Sequence, residues 1–541
     1  MTHKKLFICL ILAIAVVMLA VSCVTFFGTP DYDFSWLNDT TERQKSLSGL
    51  QDEDEVNSVL TEAGEKSWHI WAENLLNLDY IQKQIEVACE KADSDVYDTA
   101  LAWADIAGLD GFYRDQVQAE YGDAGVELYD LLDEICFLFL LDPEAAKYSV
   151  FENHVQAAVN NENASATAPS TEESNPYFSD NRCRLMPVPV VGIEPDQLED
   201  IYNVFKDAHP QYYFIGTHGS LTDDEGKTYG LDLYVYDIFE KGSRFEEVVA
   251  AVAKAQQEYR TADWENLEEV AKFRHIYDWL AKHVDYDYFA AGYISEAELK
   301  AAYPDSYKKY LSKADAEKEW GEDEKPSADG DHSHSQTIWS VFIRNVEDDY
   351  PIYSPDGNPI PAKERPTKFY TVCAGYSAAY SLLCGSEDLD AIEMSGSGHA
   401  WNRAKIDGEW YNMDCTWDDV GYIPDGPGLA VQYQYFARSD KFFYDSHEVS
   451  DYGISNRIRV TLVGEKDFKP YEHYYYKTDK GWIHGYKNED GIVFLEQDGK
   501  PVLDKNGKFV TFDGSNLSDI ELISFDDMPG YEKHDDSVYH E

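Results

Sequence analysis

Three short blocks decide how this chain is read: Thr371-Val372-Cys373-Ala374-Gly375-Tyr376, then Gly398-His399-Ala400-Trp401-Asn402, then Asn412-Met413-Asp414-Cys415-Thr416-Trp417-Asp418. Cys, His and Asp follow one another in order, the side chains of a nucleophile, a base and an orienting carboxylate. Residues 377–383 are small or apolar with no helix breaker, so Cys373 is expected at the start of a helix, where the N-terminal end favours thiolate over thiol. A lone Cys in that position reads as a buried structural residue; its company changes the reading.

The company is fixed by hairpin geometry. Residues 399–406 and 409–416 are two strand-like runs joined by Asp407-Gly408, the strongest short hairpin signal. A two-residue turn pairs Ile406 with Glu409 and sets Trp401 opposite Asp414. Side chains alternate along a strand, so His399 falls on the face of Asp414 as a diagonal neighbour, with Cβ atoms about 6–8 Å apart and within reach of a hydrogen bond. Cys415 points to the opposite face.

Together the three blocks resemble the transglutaminase-like superfamily, papain-fold thiol enzymes with a Cys-His-Asp triad. Upstream, Ile276-Tyr277-Asp278-Trp279-Leu280 with Tyr286-Asp287-Tyr288, and downstream, Tyr435-Phe436-Ala437-Arg438-Ser439-Asp440, are similar to flanking blocks of its bacterial members. The resemblance covers about residues 268–450. It implies Cys373 as nucleophile, His399 as general base and then acid, and Asp414 as orienting carboxylate, with no cofactor and, in most bacterial members, no calcium. An oxyanion would take the Cys373 backbone N–H as one donor. Gln336, which opens the block 336–342 similar to the helix before the nucleophile, is the candidate for the second. The expected reaction is acyl transfer on a protein or peptide amide; water would make it a protease or amidase, a lysine amine a protein cross-linker, and the sequence leaves that choice open. The competing class is a non-catalytic surface binding module that keeps the fold. Degenerate members usually lose a triad residue, and here all three stand.

Around this core the expected fold is α+β: a papain-like, transglutaminase-like domain preceded by a helical domain and followed by a small β module. Apolar residues at spacings of three and four, as in Leu128, Leu131, Leu132, Ile135 and Phe139, mark helices in a domain spanning 24–160. Residues 161–185 read as a linker and 186–453 as the central domain. Within it helices are expected at 195–208 and 267–284, strands at 212–215 and 231–236, and surface insertions at 294–335 and 351–366, the latter with five prolines. The module 454–541 shows short β runs broken at Asp479-Lys480-Gly481, Asp498-Gly499 and Asn506-Gly507. Its Tyr474, Tyr475 and Trp482 are candidates for contact with cell wall or glycan, with strand packing as the plainer role.

The chain has 541 residues, 43% apolar and 14% aromatic, enough at about 150 residues per domain for three or four packed domains. Its 45 basic against 102 acidic residues give a net charge of −57, which repels phosphate backbones and excludes nucleic acid as a partner. Lys4 and Lys5 precede an apolar run at 6–21 that ends at Ser22-Cys23. This reads as an export signal over 1–22. The stretch 19–23 resembles the bacterial lipobox, with Ala20 where Leu is usual; that implies lipidation of Cys23 and an extracytoplasmic protein held at the membrane by lipid alone. An uncleaved anchor is the alternative. Apart from Cys9 in the apolar run and Cys23, the remaining six of eight cysteines are too few and scattered for a disulfide scaffold and form no CxxC pair. No metal site is expected: Asp329-Gly330-Asp331-His332-Ser333-His334 lacks the helical spacing of a catalytic zinc site and reads as a solvated loop.

Overall fold

The computed structural model describes residues 78–148 and 183–447, apart from short gaps and the segment 311–332, and six short strands with a few further positions between 454 and 523. The chain divides into two units, residues 1–74 with 158–169, and residues 75–157 with 170–541. The first lies outside the described residues, and with it the signal segment 1–22 and Cys23. Most of the linker 161–185, residues 329–332 and the turn Asn506-Gly507 lie outside them too. No helix among the described residues is long and apolar enough to cross a membrane.

Helices α1 (Leu78–Lys91), α2 (Ser94–Ala104), α3 (Asp110–Leu141, kinked at Gly122) and α4 (Pro143–Ala146) follow the 3.6-residue period, with Leu128, Leu132, Ile135 and Phe139 buried. They share one compact unit with the rest of the described chain. The Trp103 ring N–H donates to the Gln211 carbonyl at 3.1 Å, and the Glu393 N–H donates to the Tyr113 hydroxyl at 2.8 Å.

Strands β1 (Cys183–Arg184), β2 (Val188–Pro189), β3 (Ile215–Thr222) and β4 (Thr228–Val235) form an antiparallel sheet in which β4 pairs with the other three. Helix α5 (Pro195–Ala208) has the expected bounds. The strand expected at 212–215 starts only at Ile215, because Pro210, with no N–H and a fixed φ, opens a 3₁₀ turn over Pro210–Tyr212. Helices α6 (Phe245–Tyr259) and α7 (Glu269–His283) follow, and β5 (Asp285–Tyr286) pairs in parallel with β6 (Tyr370–Thr371).

Between β5 and β6 lie α8 (Glu296–Ala302) and α9 (Ile338–Phe342). Here the two expected surface insertions prove to be more than loops. Leu299, Tyr307 and Tyr310 from the first pack with Val346, Tyr350 and Ile352 around the second, in a buried cluster that includes Tyr370. Arg365 ties the second insertion down by donating to the Glu347 carbonyl at 3.0 Å and the Tyr350 carbonyl at 2.5 Å. Burial of Tyr307 and Tyr310 outweighs the polar composition that marked the first segment as solvated.

Helix α10 (Cys373–Gly385) packs on a three-stranded antiparallel sheet, β7 (Ala391–Gly396), β8 (His399–Ile406) and β9 (Glu409–Met413), in that order. The register is the expected one, Ile406 opposite Glu409 through Asn402 opposite Met413. Asp407 and Gly408 have φ of 50° and 86°, as a type I′ turn requires. The second strand, expected to reach residue 416, stops at Met413. Asp414 instead caps the short helix α11 (Cys415–Asp418), its carboxylate accepting from the Trp417 N–H at 3.1 Å. The hairpin β10 (Asp419–Ile423) and β11 (Gly428–Val431), then α12 (Asp440–His447), complete the core.

Beyond it, β12 (Glu472–Thr478), β13 (Gly481–Lys487), β14 (Val493–Gln497), β15 (Lys500–Pro501), β16 (Thr511–Phe512) and β17 (Leu522–Ile523) form an antiparallel sheet. Thr478 pairs with Gly481 and Gln497 with Lys500, on either side of residues 479–480 and 498–499, which lie outside the described residues. The side chains of Tyr474, Tyr475 and Trp482 lie outside the description. The fold is thus mixed helix and small sheets, α+β.

Candidate active site

Cys373 is the first residue of α10, and no side chain caps that helix: Val372 at the N-cap is extended and offers no oxygen. The Gly375 N–H turns back to the Val372 carbonyl at 2.9 Å, and the N–H groups of Cys373 and Ala374 face the helix start where the sulfur stands. The helix start is pinned from behind, since the Ser335 carbonyl accepts from the Val372 N–H at 3.1 Å and the Thr371 hydroxyl at 2.7 Å. Gly375 is required by this crossing. A Cβ there would stand 1.9 Å from Thr371 Oγ1 and 3.0 Å from the Ser335 carbonyl oxygen.

The sheet is locked to the helix by Asn402, buried on β8, whose amide donates to the Ser377 carbonyl at 3.0 Å and to Ser381 Oγ at 2.9 Å. His399, at the start of β8, thereby faces the helix end. Its Nε2 lies 2.7 Å from Asp414 Oδ2, and Cys373 is close enough to favour the charged form of the ring. With Nε2 engaged by the carboxylate, Nδ1 is the ring nitrogen left to serve a thiol. Cys373, His399 and Asp414 are thus brought together in the order expected. Cys415 faces away, buried with its Sγ 3.6 Å from the Tyr277 carbonyl.

The charges follow from the contacts. Burial alone would lower the His399 pKa, but the Asp414 charge and hydrogen bond, with Cys373 adding to them, outweigh it and push it up to about 10. Burial alone would raise Asp414, yet the charge and hydrogen bond of His399, and then His447, hold its carboxyl well below the usual range. An ionised carboxylate has no proton to give, so each imidazole nitrogen facing it carries the hydrogen.

His447 was missed in the sequence. It sits at the end of α12, 2% exposed, with Nε2 2.9 Å from Asp414 Oδ2 and Nδ1 2.9 Å from Ser446 Oγ. Phe443 one turn earlier stacks on it at 4.1 Å between centroids, and that aromatic–His spacing of four was the only local signal.

His399, Asp414 and His447 are the residue types that bind metal ions, and they converge. Two atoms bound to one tetrahedral zinc at about 2.0–2.1 Å stand about 3.3 Å apart. Both imidazole nitrogens are closer than that to the carboxylate oxygen, at 2.7 and 2.9 Å, so the arrangement is hydrogen-bonded.

Gln336 lies exposed at the end of the 3₁₀ turn Ser333–Gln336, one residue after the carbonyl that pins Val372. It lines a cleft of about 210 Å³ with Ala374, Asp207, Glu393 and Ser395, beside the start of α10. Burial pushes Asp207 up to about 7, and burial and then Asp207 raise Glu393 well above the carboxylate range. None of Cys89, Cys136, Cys183, Cys373, Cys384 and Cys415 forms a disulfide among the described residues. Cys373 and Cys384 stand at opposite ends of one helix, beyond disulfide reach.

Tyr277 of α7 closes the site from below. Its hydroxyl lies 2.6 Å from the Asp414 carbonyl oxygen and 2.5 Å from Asp418 Oδ2. Comparison with known protein families finds no family model that matches the chain, and comparison with curated proteins finds no match either.

Proposed function

We propose that this chain is a transglutaminase-like thiol enzyme of papain type, catalysing acyl transfer on protein or peptide amides through Cys373, His399 and Asp414. The observation that carries the reading is a single imidazole 2.7 Å from a fully buried carboxylate, with the Cys373 sulfur at an uncapped helix start close enough to favour its charged form. A thiol at an uncapped helix start packed on the hairpin that carries its base supports the papain-type core.

In the proposed reaction the Cys373 sulfur, its proton held by His399, attacks the amide carbonyl carbon. The developing oxyanion takes hydrogen bonds from the Cys373 N–H and the Gln336 amide. His399 returns the proton to the departing amine as the C–N bond breaks, leaving a thioester. Water or a primary amine then attacks the thioester, His399 removes its proton, and the sulfur leaves with an acid or a new amide formed. Asp414 keeps the imidazole in the tautomer that serves the thiol and stabilises its charged form.

Incubating the full soluble chain with a peptide library and a labelled amine, with mass spectrometry reading cleavage, deamidation and conjugation, tests this. Products lost in Cys373→Ala are expected. No product from the wild-type chain in any channel points to the non-catalytic binding module instead. We further propose export and lipid anchoring through Cys23, for which equal fatty-acid labelling of wild type and Cys23→Ala is the contrary result.

A further inference from the structure

Asp414 is fully buried, and a buried carboxylate is tolerated only when its oxygens are satisfied. One oxygen, Oδ1, accepts from the Trp417 N–H at 3.1 Å. The other, Oδ2, is shared by two imidazoles, His399 at 2.7 Å and His447 at 2.9 Å. Only His399 also feels the Cys373 thiol. His447 is enclosed by rings instead, with Phe443 at 4.1 Å, Trp417 at 4.2 Å and Trp401 at 5.1 Å between centroids. An apolar residue would fill such a pocket without burying polar nitrogens, so the polar side of this imidazole has a use.

We propose that His447 is a positioning residue: by donating from Nε2 to Asp414 Oδ2 it holds that carboxylate charged and aimed at His399, so that Cys373 keeps its imidazolium partner into acid conditions. The inference rests on the Cys373–His399–Asp414 reading above. The other titratable groups facing this centre do not replace the donor. Cys415 and Asp418 on α11 are themselves acids, the Tyr277 hydroxyl on α7 is directed at the Asp414 main-chain carbonyl and Asp418, and Tyr435 meets His447 through its ring. Removing His447 leaves Oδ2 with His399 alone. Asp414 then takes up a proton at higher pH, and a neutral Asp414 no longer holds the imidazolium.

The test needs no substrate. Iodoacetamide alkylation of Cys373 is followed by peptide mapping across acid to neutral pH in the full wild-type chain, in His447→Gln, whose amide nitrogen replaces the Nε2 donor, and in His447→Phe, which keeps a ring and removes the donor. Wild type and His447→Gln should share one acid limb. His447→Phe should move it upward by about one pH unit, a rate about tenfold lower on the limb. A His447→Phe profile superimposed on wild type, or a His447→Gln profile displaced as far as His447→Phe, overturns the proposal. Should His447→Phe not fold, ¹⁵N-histidine spectra of the wild type decide: a protonated His447 Nε2 is required, and an unprotonated one overturns it. If wild-type Cys373 reacts no faster than Cys89 at neutral pH, it is the nucleophile reading that fails, and this inference with it.

Discussion

Asp414 and Asp418 bracket the same single helical turn, both have no exposed surface, and their pKa values are shifted in opposite directions. Asp414 meets two imidazoles and a main-chain N–H, so its charge is favoured despite burial. Asp418 meets only neutral partners, the Tyr277 hydroxyl and the Tyr435 N–H at 3.0 Å, and burial pushes it up to about 8, with the Asp414 charge adding to the rise. The hydrogen-bond count agrees. The Tyr277 hydroxyl has one proton and two acceptors, the Asp414 carbonyl oxygen and Asp418 Oδ2, and a proton on Asp418 is what completes the chain. Burial sets the stakes, and the neighbours decide which side of neutral pH each carboxyl falls on.

Exchanging each carboxyl for an amide breaks this comparison in different ways. Asp414→Asn should lower kcat by about 10²–10⁴-fold while leaving the fold and substrate binding in place, because the amide cannot stabilise the imidazolium and can favour the wrong tautomer. Kinetics normalised to folded protein by circular dichroism read this. Asp418→Asn replaces a group already neutral near pH 7, so turnover should stay within a few-fold of wild type.

Stability should separate the pair further. Asp418 has a raised folded pKa, so its contribution is complete below the ordinary carboxylate pKa and is lost as pH rises toward about 8. Asp414 has a depressed one, and its contribution is present above that ordinary value and lost as pH falls. Thermal melts of Asp418→Asn should therefore gain on wild type as pH rises from about 4 to about 8. A constant offset across that range contradicts the assignment. The smallest effect is expected of Cys415→Ser, buried against α7 on the far side of the site: about 1–2 kcal/mol of stability and little change in turnover of the folded fraction.

Much of this site was legible because its geometry is local. The Asp407-Gly408 turn has the positive φ angles that fix a two-residue hairpin, and the register of β8 and β9 follows from it. The helix start at Cys373 follows from a run with no breaker after an extended segment. The early end of β9 was not legible, because Asp414 can continue a strand or cap a helix, and only the Trp417 N–H and the Tyr435 carbonyl, which accepts the Asp414 N–H at 3.1 Å, choose between them. His447 lies 33 residues from Asp414 and is brought there by the packing of α12, which no short-range pattern encodes. The polar composition of the first insertion hid Tyr307 and Tyr310, which meet Tyr350 and Tyr370 only in three dimensions.

The central claim is that Asp414 keeps the His399 imidazole charged beside the Cys373 sulfur. The most direct measurement is the titration of the His399 ring by NMR in ¹⁵N-histidine-labelled full chain, in wild type and Asp414→Asn, with His399→Gln to assign the signal. In wild type the ring should stay protonated through neutral pH and lose its proton near pH 10; in Asp414→Asn burial should dominate and bring that transition below the ordinary histidine value. A His399 that titrates near the ordinary value in both proteins would contradict the account.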